Sequence, residues 1–345
     1  MSDQPQPQQE PQQEHQQKRQ HKHRPATRRR WTILAAALTG AAAVAAATTV
    51  STPAHAAPQQ ATQATQATQA TQATQATQAS TTRPSSGTAK FLGRWNYRTP
   101  QPTTGLNIAT VSGSGFSASF PQIGWVDFTR GRGGEVTGRT DQGCTWRFAL
   151  KSGRLQLASP GQTCFNKVIG SKYQMNRWTV SVTGDREQEY IQATSFLPSG
   201  TYDFTLAHGA RTKVTKNTNT SGYAGDWTFN APNEATGVNI ETLVDSSGQE
   251  SRRPVSGKLA ITRTAPNRIS VRTANGCHWN LTAAGNTAEL TRPQTCHLRG
   301  GATQTYAFWA MAVGGRRQYL VISGANVAAG KRTEFSLTTG LLTRR

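Results

Sequence analysis

Apolar residues are scarce in this chain, 35% of 345, against the ~45–50% of an ordinary soluble domain. Part of the deficit is local. Residues 1–30 and 57–90 are polar low-complexity sequence, so any core has to come from 91–345. There is no long apolar run except Ile33 to Val50, which excludes a multi-span membrane protein. Four cysteines exclude a dense disulfide scaffold, and no collagen triplet or coiled-coil heptad is present. Acid is scarce as well: 17 Asp and Glu stand against 38 Lys and Arg, a net charge of +21. A body of roughly 255 residues suits two domains of ordinary size.

Catalytic vocabulary is also missing. Beyond the first ninety residues there are three histidines, His208, His278 and His297. No Gly-x-Ser-x-Gly elbow, Walker loop, metalloprotease His-Glu motif or papain-like cysteine occurs. The chain therefore reads as non-enzymatic, with no catalytic residue and no cofactor. An asymmetric site around His208 or His278 is the remaining enzymatic reading.

What is present begins with an address. Residues 1–30 are rich in Gln, His, Lys and Arg, the Ala-rich run follows, and Ala54-His55-Ala56 closes it. A positive segment, an apolar segment and a small-x-small site make 1–56 a bacterial-style export signal. Thr27-Arg28-Arg29-Arg30-Trp31 also resembles a twin-arginine signal. The expected location is extracellular or cell-wall associated, without a stable membrane span once the signal is removed. Residues 57–90 carry six Ala-Thr-Gln triplets, side chains too small and polar to offset chain entropy, and read as a disordered linker.

The body is one unit used twice, 91–214 and 222–345. Gly93-Arg94-Trp95 returns as Gly225-Asp226-Trp227, and Thr104-Gly105-Leu106-Asn107-Ile108 as Thr236-Gly237-Val238-Asn239-Ile240. Gly143-Cys144-Thr145-Trp146 returns as Gly276-Cys277-His278-Trp279, and Gln162-Thr163-Cys164 as Gln294-Thr295-Cys296. Trp178 answers Trp309, Gly184 answers Gly315, and Tyr190 answers Tyr319. Asp185-Arg186-Glu187 answers Arg316-Arg317 across a shortened turn.

Within each copy apolar residues alternate, as in Trp178, Val180, Val182 and in Tyr202, Phe204, Leu206. Leu259 and Ile261 face Ile269 and Val271 across Thr264-Ala265-Pro266-Asn267, a hairpin pattern. About eight short strands per copy are expected, and closure into a barrel removes their exposed edges. The fold class is all-β, two tandem antiparallel β-barrels after the signal and linker.

Four cysteines allow three pairings, and only Cys144–Cys164 with Cys277–Cys296 preserves the repeat. An exported chain meets an oxidising compartment, which permits both bonds. Zinc is disfavoured, because His278 and His297 align with Thr145 and Phe165, which do not ligate. The paired Trp95 and Trp227 fit either core packing or a stacking platform. Asn107 and Asn239 fit either backbone satisfaction or ligand contact. These four are the candidate pocket residues.

Charge adds a second possibility. Each copy carries 14 basic and 7 acidic side chains, which attracts anionic envelope polymers. Aromatic and basic residues do not interleave, so specific nucleic-acid binding is not expected.

The openings Leu92-Gly93-Arg94-Trp95 and Ala224-Gly225-Asp226-Trp227 resemble the Gly-x-Trp start of the lipocalin and calycin group. That resemblance implies an eight-stranded barrel, often with one disulfide, that carries a small apolar ligand or inhibits a protease. Together these readings describe an exported binding protein with a small apolar or aromatic ligand. The alternative is a basic interaction module for an anionic polymer or partner protein.

Overall fold

The computed structural model describes residues 87–113, 115–166, 171–197, 200–215, 220 and 222–345. The export signal and the linker as far as residue 86 lie outside the described residues. Residues 87–90, assigned to the linker from sequence, already belong to the folded body. Thr88 is buried, and Ala89–Phe91 forms a 3-10 turn that buries Phe91.

The first copy contains β1 (Gly93–Tyr97), β2 (Ile108–Gly113), β3 (Phe116–Pro121), β4 (Trp125–Arg130), β5 (Val136–Thr140), β6 (Thr145–Lys151), β7 (Arg154–Leu157), β8 (Gln162–Asn166), β9 (Ser171–Thr183), β10 (Arg186–Leu197) and β11 (Gly200–Lys213). The second contains β12 (Gly225–Phe229), β13 (Ile240–Asp245), β14 (Glu250–Pro254), β15 (Lys258–Ala265), β16 (Arg268–Arg272), β17 (His278–Ala284), β18 (Thr287–Glu289), β19 (Gln294–His297), β20 (Thr303–Gly314), β21 (Arg317–Ala328) and β22 (Lys331–Arg344).

Each copy closes as an antiparallel eight-strand barrel. The ring runs β1-β4-β5-β6-β7-β9-β10-β11 and returns to β1 through Trp95↔Lys213. The hairpin β2–β3 extends the sheet from the other end of β11, and β8 adds to β9. The second barrel repeats this order strand for strand, closing through Trp227↔Arg344. The long β11 and β22 each pair with three strands: β10, β1 and β2 for β11, and β21, β12 and β13 for β22.

Alternation explains which side faces in. In β10 buried residues recur every second position, and in β6 Trp146 and Phe148 point inward between exposed neighbours. One core contains Trp95, Trp146 and Trp178, the other Trp227, Trp279 and Trp309, all at most 2% exposed. Gly93 and Gly225 adopt φ of 103° and 125°, values that favour glycine. Two residues on, each tryptophan is fully buried in its core. Trp95 donates its indole N–H to the Phe91 carbonyl at 2.6 Å, and Trp227 donates to that of Tyr223 at 2.7 Å. A cation from the last ring strand lies on each indole, Lys213 on Trp95 and Arg344 on Trp227.

The disulfides pair within each copy, Cys144–Cys164 and Cys277–Cys296, with Cα separations of 5.8 and 5.9 Å. They tie the residue before β6 to β8 and the residue before β17 to β19. No helix among the described residues is long and apolar enough to cross a membrane.

Strand register corrects two alignments made from sequence. Trp178 pairs with Ile191 and Trp309 with Ile322, so Tyr190 corresponds to Val321, and Tyr319 to Gln188. The turns are also equal in length. Two residues separate β9 from β10 and two separate β20 from β21, so Glu187 corresponds to Gln318. Sequence matching had followed identical letters, whereas the sheet fixes positions by hydrogen bonding.

Candidate functional site

The two barrels share a frame but not an interior. At the heart of the first, Glu187, Glu189 and Arg211 are at most 5% exposed. They sit on adjacent strands, with Glu187 opposite Arg211. The Arg211 guanidinium donates from Nη2 and Nε to Glu189 Oε1 at 3.0 and 3.2 Å, and its Nε lies 3.6 Å from Glu187. Trp178 donates its indole N–H to the other Glu189 oxygen at 2.8 Å. The Tyr97 ring stacks on the guanidinium, 3.7 Å from ring centre to Cζ.

These groups set one another's charge. Burial pushes the Glu187 carboxyl well above its ordinary range against the pull of Arg211, and Glu189 adds to the rise. Burial alone would lower the Arg211 pKa, but Glu189, Tyr97 and Glu187 outweigh it and keep the guanidinium charged.

At the matching positions of the second barrel stand Gln318, Leu320 and Leu342, with Phe229 in place of Tyr97. Gln318, Leu320 and Leu342 are at most 1% exposed. The loss of the glutamate shows in Trp309, the counterpart of Trp178, whose buried indole N–H has no hydrogen-bond partner.

Above the cluster the first barrel holds a cavity of about 150 Å³, lined by Trp178, Arg211, Met175, Ile191, Phe204 and Trp125 among others. The second barrel fills the corresponding space. Met175 becomes Tyr306, and Ala193, opposite it, becomes Gly324. A Cβ on Gly324 would lie 2.0 Å from the Thr305 carbonyl oxygen and 2.7 Å from the Phe335 ring, so only glycine fits there. The Tyr306 ring packs edge-on against Trp279, Trp309 and Phe335, with centroids 4.3, 4.9 and 5.4 Å away.

The cavity wall includes two further residues particular to the first copy. Trp125 corresponds to Lys258 and Asp141 to Ala274. Asp141 fits because Gly124 lacks a side chain: a Cβ there would lie 2.1 Å from Asp141 Oδ2. Burial, reinforced by the Glu289 charge, raises Asp141 from 3.8 to about 7, with Arg211 and Arg94 opposing.

Glu289 comes from the second barrel. It accepts the Trp125 indole N–H at 2.8 Å and faces the Arg94 guanidinium at 3.5 Å. Arg94 in turn lies over the Trp125 ring, 4.4 Å from its centre. Asn96 donates to the Ala284 carbonyl at 2.5 Å, and Asn286 to that of Tyr97 at 2.8 Å. The barrel contact thus reaches the cavity wall.

The four residues singled out from sequence lie elsewhere. Trp95 and Trp227 are fully buried in the two cores. Asn107, at φ 54°, donates to the carbonyls of Arg98 and Ala210 at 2.7 and 2.9 Å and accepts the Ala210 N–H at 2.7 Å. Asn239, at φ 55°, makes the same three bonds to Asn230 and Leu341. Both clasp the backbone, and neither Asn107 nor Trp95 lines the cavity. Sequence reasoning missed Arg211, Glu187, Glu189, Asp141 and Trp125. Their signal was divergence between copies, most visibly Trp125, the body tryptophan without a partner.

Among the described residues no group of three His, Cys, Asp or Glu side chains could hold a metal ion. No family model and no curated protein matches the chain. Among solved structures, a candidate outer membrane protein from Bacteroides fragilis aligns over 75% of this chain and 99% of its own, at 7% identity and a TM-score of 0.24. A protein of unknown function from the DUF3598 family of Nostoc punctiforme aligns over 75% and 98%, at 9% identity and a TM-score of 0.22. Likenesses this distant carry no argument about function.

Proposed function

We propose that this is an exported, calycin-like binding protein of the cell envelope or extracellular space. Its first barrel takes a small, largely apolar ligand, and its second supports the first. The observation that carries this reading is the contrast between two barrels of one ancestry. One has an open interior with a buried polar cluster beside it, and the other fills the same volume with Tyr306 and has Gln318, Leu320 and Leu342 at the cluster's positions. A core under selection for stability alone loses voids and buried charges. Their presence in one copy only points to use. Glu189 ties Arg211 and Trp178 together there, while Arg211 Nη1 is buried without a hydrogen-bond partner. The two disulfides are compatible with an oxidising compartment.

The second barrel supplies the control. Met175→Tyr with Ala193→Gly gives the first barrel the filling of the second. Native mass spectrometry of the secreted protein should show a bound small molecule that this double variant lacks. Identical spectra for the two proteins would remove the reading.

A further inference from the structure

Resting on that reading, we infer that the ligand is an uncharged, single-ring aromatic compound with an accepting oxygen, its ring against Trp178 and Phe204 and its oxygen on Arg211. Size sets the first limit. A cavity of about 150 Å³ is of the order that encloses one benzene-sized ring. The walls set the second. Met175, Ile191, Phe204 and Trp178 present apolar and aromatic surface, against which a flat ring packs edge-on or offset.

Arg211 sets the polarity. It lines the cavity, and its Nε and Nη2 both serve Glu189, while Nη1, like both oxygens of the neighbouring Glu187, is buried without a hydrogen-bond partner. A guanidinium nitrogen only donates, so the missing partner is an acceptor. The charge of that acceptor follows from the neighbours. Glu189 already balances the Arg211 charge, with Glu187 3.6 Å from Nε. A ligand carboxylate would add a further acid beside Glu189, Glu187 and the cavity-lining Asp141, and a ligand ammonium placed at Nη1 would face the guanidinium. A carbonyl oxygen conjugated to the ring meets neither objection. The second barrel has Leu342 in place of Arg211 and no such donor.

The test uses the full secreted chain and four probes of similar size: benzamide, benzoate, benzylammonium and toluene, with affinities from calorimetry. Benzamide should bind at least tenfold more tightly than each of the others. Replacing Arg211 alone leaves buried acids unpaired and endangers folding. The informative variant is therefore Glu187→Gln/Glu189→Leu/Arg211→Leu, which installs residues that a barrel of this chain already tolerates. It should lose at least tenfold for benzamide and less than threefold for toluene. Equal affinity for toluene and benzamide, or a preference for benzoate or benzylammonium, overturns the inference and leaves the first barrel a ligand site. The same holds if a small molecule co-purifies and no probe displaces it. Absence of both a co-purified molecule and probe binding overturns the inference and the reading beneath it together.

Discussion

Glu289, on β18 of the second barrel, accepts the indole N–H of Trp125, which lines the cavity of the first, at 2.8 Å. The carboxylate fixes one edge of the ring while the Arg94 guanidinium covers its face. Barrel two thereby holds a wall of barrel one. Hydrogen bonds to a charged group are worth about 1.5–3 kcal/mol when largely withdrawn from water, and Glu289 is 17% exposed. Glu289→Ala should free the Trp125 ring and weaken ligand binding several-fold without unfolding either barrel. Trp125 emission, isolated by comparison with Trp125→Phe, should shift. Unchanged emission together with unchanged affinity would show that the contact positions nothing.

The same carboxylate acts on Asp141. Because burial and Glu289 raise Asp141 to about 7 in the fold from 3.8, the native state holds a proton through a window in which the unfolded chain has lost it. Stability from this group is complete below about pH 4 and declines as pH rises toward 7. Glu187, also raised by burial, acts in the same direction. Melting temperature should therefore fall from pH 5 to pH 8. Asp141→Asn should flatten that decline, and Glu289→Gln should shift it to lower pH. A melting temperature that rises across this range would contradict the assignment.

The buried trio makes a prediction about sign. Arg211→Leu alone strands Glu189 without its cation and should cost about 3–5 kcal/mol, whereas full replacement by the second barrel's residues should be neutral or stabilising by about 1–4 kcal/mol. Urea titration of both variants measures the difference. If the triple variant is less stable than the single one, the cluster is structural and its retention needs no ligand.

Much of the scaffold was legible because scaffolds repeat. Tryptophans at matching places, cysteines at matching spacing and strict alternation in segments such as Trp178–Val182 are the demands of closing a sheet, and both copies meet them. The interior was harder to read, for the same physical reason. Glu187, Glu189 and Arg211 stand at inward positions, where their charges resemble interruptions of an apolar pattern and reveal themselves only when β10 is set beside β11. Shared residues led to Asn107 and Asn239, but duplication preserves what holds the backbone. The cavity wall was free to diverge and differs between the copies. Trp125 and Arg211 carried that information in the residues opposite them in the alignment, Lys258 and Leu342.

The two asparagines give the cleanest separation of scaffold from site. Each sits at positive φ and spends its amide on three backbone groups from two separate segments. Substitution by alanine removes those bonds and leaves a β-carbon in a left-handed conformation, for a combined cost of about 3–5 kcal/mol. Asn107→Ala and Asn239→Ala should destabilise by similar amounts, since the clasps match bond for bond. Asn107→Gly and Asn239→Gly should recover the conformational part and no more. At a temperature where all four variants remain folded, none should change the affinity of the first barrel for its ligand. A loss of binding in Asn107→Ala that Asn239→Ala does not share would move Asn107 from the frame into the site.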